Sequence, residues 1–202
     1  MNGALIVAYG TNARREAGYA IEQLAAHMPG LGVAVVSDGP ISGARFIYME
    51  QRDPGARWAK LNLDTLTPFD RTLYMDADTR ANGDLSAGFA MLADGWDMVM
   101  ATSDRQAGEL CWQCTEDERQ AIRNDTGTEP LGLQAGVMFV AKNDRTAALF
   151  AKWRAEWERW QGPDQGALLR ALYASPARVW LLGRDWNGGK LVTHRFGMAR
   201  AA

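Results

Sequence analysis

Apolar residues fall along the chain in short blocks whose spacing alternates between strand and helix periods. Residues 4–9, Ala-Leu-Ile-Val-Ala-Tyr, form a continuous apolar run of the length a buried strand needs, and Gly10-Thr11-Asn12 reads as the turn after it. From Arg14 to Met28, Ala17, Ala20, Ile21, Leu24 and Ala25 recur at helical spacing until Pro29-Gly30 stops the pattern. Val33-Ala34-Val35-Val36 is the next apolar run and ends in Ser37-Asp38-Gly39-Pro40, so the chain opens strand, helix, strand. Such a connection makes the two strands parallel and brings the loops after them to one sheet edge, where open α/β sheets bind ligands.

Further along, the pattern predicts a short strand at Arg45–Met49 and a helix over Arg57–Leu66 ended by Thr67-Pro68. The strand Thr72-Leu73-Tyr74-Met75 then breaks into Asp76-Ala77-Asp78 and a polar, glycine-containing stretch, 79–83. A short helix over Ala87–Leu92 and a strand over Met98–Ala101 follow. Residues 105–130 are polar with few apolar repeats and read as a long irregular segment, the kind that covers a site. Leu133–Val140 reads as a strand in which Gly136 permits close approach of a ligand or another backbone. An amphipathic helix over Arg145–Gln161 turns Leu149, Phe150, Trp153, Trp157 and Trp160 toward a core or interface. Gly162-Pro163 breaks it, Asp164 is placed to cap the next helical run at Ala167–Leu172, and Val179–Leu182 is the last clear strand.

Composition narrows this picture little. With 202 residues, 47% hydrophobic and 23% charged, the chain suits a single globular domain over residues 1–202. A net charge of −2 gives no general attraction to nucleic acid or anionic lipid. The N-terminal apolar run has no basic leader and is too short for a membrane span, which predicts a cytoplasmic protein with no transmembrane segment. Cys111 and Cys114 form a lone Cys-x-x-Cys, and with only His27 and His194 as histidines, neither of them nearby, the pair reads as reduced thiols in a loop.

The chemistry gathers at Asp76 and Asp78. In an extended strand residues i and i+2 share a face, so both carboxylates can address one object. They repel each other unless a cation lies close, and Mg²⁺ or Mn²⁺ with oxygen ligands suits the role. Asp-x-Asp at a strand end also starts turns and caps helices, so the pair alone leaves both readings open. At the ligand-binding edge, Tyr9, Thr11, Asn12 and Asp38 are candidates for a nucleotide base and ribose, and equally read as turn residues. Arg57 and Lys60, three residues apart on a helix, could serve a diphosphate or form a solvated face.

Five motifs taken in order resemble the GT-A fold enzymes of glycosyltransferase family 8. They are the run from Ala56 through Asp76-Ala77-Asp78, then Gln134-Ala135-Gly136-Val137, Asp164-Gln165-Gly166-Ala167-Leu168, Arg184-Asp185-Trp186-Asn187, and His194-Arg195-Phe196-Gly197. The resemblance implies an α/β fold of Rossmann-like, mostly parallel sheet flanked by helices, and a hexose transfer from a nucleotide-diphosphate sugar, UDP-linked by expectation, with retained anomeric configuration. It implies that Asp76, Asp78 and His194 bind Mn²⁺ or Mg²⁺, and that Arg57, Lys60, Asp104, Gln134 and Gly197 join Tyr9, Thr11 and Asp38 around the donor. Asp164 and Gln165 would carry the catalytic positions, Gln165 on the β face of the anomeric carbon, where a carboxamide is a weak nucleophile and front-face attack is favoured.

The chain also departs from the family pattern. Gln134 replaces an asparagine, no Lys-Pro-Trp follows Gly197, leaving Arg200 as the nearest later cation, and the first loop lacks the usual aspartates. Region 105–130 would set the acceptor, a saccharide by first expectation, with a modified nucleic-acid base as another candidate. A sugar-1-phosphate nucleotidyltransferase and a catalytically silent nucleotide-sugar-binding subunit are the competing classes. The former would need a glycine-rich phosphate loop after the first strand.

Overall fold

The computed structural model describes residues 1–50, 56–102, 114–128 and 131–197. The chain opens with β1 (Asn2–Ala8), α1 (Gly10–His27), β2 (Gly32–Ser37) and β3 (Arg45–Tyr48). Two short helices, α2 (Ala56–Leu61) and α3 (Leu63–Leu66), lead to β4 (Arg71–Asp76), and β5 (Thr79–Ala81) follows two residues later. Then come α4 (Ser86–Ala93), β6 (Met98–Thr102), α5 (Glu116–Thr126), β7 (Leu133–Ala141), α6 (Asp144–Trp160) and α7 (Asp164–Tyr173). β8 (Val179–Leu182), a 3₁₀ turn at Arg184–Trp186 and β9 (Val192–His194) complete the elements.

Seven strands form one sheet in the order β3-β2-β1-β4-β7-β6-β8. Every pairing is parallel except those of β7, which runs antiparallel to both β4 and β6. The unbroken apolar runs of β1, β2 and β4 follow from burial on both faces. Leu5, Val7 and Tyr74 point into one core layer with Phe150 and Trp153 of α6, while Ala4, Ile6 and Leu73 point into the other with Ala17, Ala20 and Leu24 of α1. Parallel register sets Ala8 beside Ser37 and Val7 beside Asp76, so the ends of β1, β2 and β4 share one edge. Among the described residues no helix is long and apolar enough to cross a membrane.

Several local expectations are corrected. Tyr9 alone separates β1 from α1, whose first residue Gly10 takes φ 81°, and Thr11 and Asn12 already belong to that helix. The expected helix over 57–66 is two helices, because Asn62 donates its side-chain amide to the Trp58 carbonyl at 2.8 Å and leaves helical geometry. The segment 79–83 contains a strand, β5, and the irregular stretch 105–130 contains a helix, α5. Thr115 caps α5 by accepting from the Glu118 amide at 3.2 Å, and Gly127 ends it in the left-handed region at φ 70°. Its buried face is largely ionic: Glu118 accepts from Arg170 Nη1 at 2.9 Å, and Arg170 Nε donates to Glu156 at 2.9 Å. An apolar repeat was never its signature. Cys111 and Asp104 lie outside the described residues, and Cys114 is buried.

Asp97 fastens the far side of the sheet. Only 1% exposed, its carboxylate takes two bonds from Arg145 at 2.7 Å, one from Asn143 at 2.9 Å and one from the Arg178 amide at 2.8 Å. Burial opposes its ionisation, but these donors hold its pKa below the ordinary carboxylate range. A depressed folded value means that this contribution to stability is complete above about pH 4 and lost as pH falls through the folded value. We expect Asp97→Ala to cost about 2–3 kcal/mol in urea unfolding at pH 7, with the deficit shrinking at pH 2–3. A deficit unchanged between the two conditions would contradict an ionic role.

Candidate active site

β4 ends at Asp76, and the next two residues turn, with Thr79 Oγ1 donating to the Asp76 carbonyl at 2.6 Å. The two carboxylates therefore do not converge along one extended strand, as i and i+2 spacing predicts. They converge because the chain's end folds over them. β5 pairs antiparallel with β9, setting His194 opposite Thr79. The Arg195 amide donates to the Asp78 carbonyl at 2.9 Å and the Gly197 amide to Asp78 Oδ2 at 2.9 Å. Asp76, Asp78 and His194 then offer ligand atoms that all lie within 4.8 Å of one another.

The donor set fits a divalent ion. His194 Nδ1 is engaged with Asn187 Oδ1 at 2.7 Å, which turns Nε2 toward Asp78 at 3.3 Å and Asp76 at 3.8 Å. That is the outer hydrogen bond that fixes the tautomer of a metal-binding histidine. Asn187 is itself fully buried and donates to the Gln134 carbonyl at 3.3 Å. The ring stacks on Phe196, centroids 4.0 Å apart, and Gly136 lies against it, where an added Cβ would stand 2.5 Å from His194 Cε1 and 3.0 Å from Asp76 Oδ2. The close approach expected at Gly136 is thus made by the ligand side chains. Burial opposes the charge on Asp78, but the His194 contact and the Gly197 amide draw its pKa below the ordinary range.

A line of alternating charge runs away from Asp76. Tyr74 donates its hydroxyl to Asp76 Oδ1 at 2.6 Å, and Lys60 Nζ lies 3.0 Å from the same oxygen. Lys60 also reaches Asp164 at 3.4 Å, and Arg57 stands 3.8 Å from the other Asp164 oxygen. Desolvation works against the Lys60 charge, yet Asp76 and Asp164 raise its affinity for a proton above the ordinary value; Asp164 is shifted down in turn by Lys60 and Arg57. Arg57 and Lys60 thus face the site rather than solvent. Asp164 is not the helix cap expected of it: Pro163 takes the cap position, Asp164 is the first residue of α7, and its carboxylate serves the two cations. Trp153 and Trp157 of α6 donate their indole N–H groups to the carbonyls of Asp164 and Gly162, at 2.8 and 3.0 Å, and so hold this turn. Next to it, Gln165 donates to Gln134 Oε1 at 2.9 Å.

The other predicted donor residues form a separate group at the ends of β1 and β2. Asp38 accepts from the Gly10 amide at 3.2 Å and from Arg14 at 2.5 Å, and these donors overcome its burial to hold its pKa below the ordinary carboxylate value. Tyr9 leads into α1 with its hydroxyl buried and without a hydrogen-bond partner; burial, then Asp38 and Tyr48, push that hydroxyl up to about 12. Thr11 sits exposed in the first turn of α1. Two contributors escaped the sequence reading. Asn187 stands in one of the five motifs without an assigned role, and Tyr74 reads as one more apolar strand residue.

A glycosyltransferase of GT-A fold is the class that this sheet and this edge define. The profile of glycosyl transferase family 8 matches residues 56–192, more than half the chain, and the protein belongs to that family of glycosyltransferase enzymes. No curated protein sequence matches it. Among solved structures, the galactosyltransferase LgtC in complex with donor and acceptor sugar analogues superposes with a TM-score of 0.59 at 16% identity, covering 92% of this chain and 74% of that one. Mouse xyloside xylosyltransferase 1 gives 0.60 at 12% identity over 92% and 87% of the two chains. The glycosyltransferase GlyE of Streptococcus pneumoniae TIGR4 gives 0.61 at 17% identity over 93% and 46%. At these identities the likeness is one of fold.

Gly136→Ala tests the packing of the ligand set. The new methyl must displace His194 or Asp76, so Mn²⁺ affinity measured by titration should fall about tenfold or more, as with other losses of ligand support. Unchanged affinity would mean that the ring moves aside freely.

Proposed function

We propose that the protein transfers a hexose from a nucleotide-diphosphate sugar, with UDP as the expected carrier, to an acceptor hydroxyl, with retention and with a divalent ion held by Asp76, Asp78 and His194. The observation that carries this reading is the convergence of two carboxylate oxygens and a tautomer-fixed imidazole nitrogen next to the Lys60–Asp164–Arg57 line. Among the described residues, the carboxylates of Asp76, Asp78 and Asp164 there meet the two cations Arg57 and Lys60, so the site as built repels a diphosphate. A bound Mn²⁺ or Mg²⁺ supplies the missing positive charge and stabilises the departing diphosphate.

The chain's own residues divide the remaining work. Lys60 steadies Asp76 from the side facing away from His194, keeping one Asp76 oxygen for the ion. Arg57 and Lys60 hold Asp164, and Gln134 holds Gln165 through its side-chain amide. Asp164 serves sugar hydroxyls and Gln165 the β face of the anomeric carbon. A carboxamide stabilises positive charge there through its oxygen while remaining a poor nucleophile, which favours front-face attack by the acceptor. Gln134, longer than asparagine, is committed to Gln165 rather than to the sugar alone. Tyr9, Thr11 and Asp38 take the nucleoside, and Gly197 holds Asp78 in place of a direct phosphate contact. Asp104 completes the sugar-binding set, and the whole of 1–202 acts as one catalytic domain whose 105–130 region meets the acceptor. Neighbours of similar fold described as galactosyl- and xylosyltransferases support sugar transfer to a saccharide.

The nucleotidyltransferase reading loses its main requirement. Such an enzyme needs open backbone amides after β1 to cradle phosphate, and here the Gly10 amide is taken by Asp38, with Arg14 bound to the same carboxylate.

A panel of nucleotide sugars with Mn²⁺ tests the proposal by nucleoside diphosphate release. The wild type should turn over a UDP-sugar, Asp78→Ala should lose at least about a hundredfold in rate, and the anomeric configuration of the product should match the donor's. A wild type that binds donor and metal but releases nothing would support a silent binding subunit instead.

A further inference from the structure

Asp78 and His194 are not carried by the main sheet. They flank the small β5–β9 pair, and what fixes that pair determines where two of the three candidate ligands stand. One of its anchors is a buried carboxylate on α1. Glu16, 3% exposed, lies on a buried helical face otherwise made of Ala13, Ala17, Ala20, Ile21 and Leu24, where an apolar side chain would be the ordinary occupant. One of its oxygens, Oε2, pairs with Arg80 of β5 and stands 3.4 Å from Nη1 of Arg195, the residue after β9. Arg80 also donates to the carbonyls of Ala77 and Thr79, at 3.2 and 2.7 Å, gripping the turn between Asp76 and β5. Arg195, through its backbone amide, holds the Asp78 carbonyl at 2.9 Å.

A buried ion pair is a weak source of stability, since desolvation consumes most of its attraction, but it fixes geometry. We propose that Glu16 is a positioning residue for the metal ligands: through Arg80 and Arg195 it sets the spacing between Asp78 and His194. The inference rests on the reading of Asp76, Asp78 and His194 as the metal site. It also makes α1 a strut between two parts of the edge, since Arg14 of the same helix binds Asp38 on the nucleoside side.

The test measures Mn²⁺ binding to the donor-free protein, alongside thermal unfolding, for wild type, Glu16→Gln, Arg195→Gln and Asp78→Ala. Glu16→Gln should weaken Mn²⁺ about tenfold and raise the metal concentration needed for half-maximal turnover, while the rate at saturating metal stays near that of the wild type. Arg195→Gln, on the solvent side, should move the affinity in the same direction by a smaller factor and serves if Glu16→Gln does not fold. The inference is overturned if both variants keep wild-type affinity while Asp78→Ala loses it, since Glu16 would then only support the fold. If wild type and Asp78→Ala bind Mn²⁺ equally, the metal reading itself fails, and this inference with it.

Discussion

Two carboxylates held side by side at the end of a buried strand cannot both stay ionised without positive charge close to them, and the site is organised around that constraint. Asp76 meets it on one side through Lys60 and the Tyr74 hydroxyl. Asp78 meets it through the amide of Gly197 and the neighbouring His194. Between them the remaining oxygens and His194 Nε2 converge, and a divalent ion is the charge that the constraint still calls for.

The constraint also accounts for the fold's departures from a simple parallel sheet. β7 runs antiparallel beside β4, and there Gly136 leaves room for Asp76 and the imidazole. Its register against β6 shifts between Met100 and Ala101, carrying Gln134 to the mouth of the site. The β5–β9 pair exists outside the main sheet and brings the chain's last described residues back to the end of β4. Asn187, buried beneath, ties the imidazole to the Gln134 backbone, so the ligand shell and the proposed sugar-side residues share one hydrogen-bonded frame. Membership of glycosyl transferase family 8 explains why these elements occur together, and the geometry explains what each contributes.

Much of this was legible in the sequence where signals were strong and local. Continuous apolar runs marked β1, β2 and β4 because both faces of the sheet are covered, and the Trp-bearing repeat marked α6. The three candidate ligands could be brought together in the sequence only by resemblance, since nothing in the spacing of Asp78 and His194 reveals that they meet. What was missed has a physical cause in each case. α5 buries Glu118 and Ile122 in place of an apolar stripe, so its hydrophobic period is faint, although Thr115-x-x-Glu118 and Gly127 are capping signals that mark its ends. β5 is three residues long and pairs only with a strand from the far end of the chain. Asp164 was taken for a cap because its side chain could have satisfied an amide; two nearby cations drew it elsewhere.

The central claim is that Asp76, Asp78 and His194 form one metal centre that faces the donor diphosphate. Pulsed electron paramagnetic resonance of the protein with one equivalent of Mn²⁺ addresses it directly. The account predicts a nitrogen coupling from one imidazole, absent in His194→Ala, and a phosphorus coupling that appears on adding UDP. A manganese spectrum with no nitrogen coupling, or one in which UDP binds without a phosphorus coupling, would contradict it.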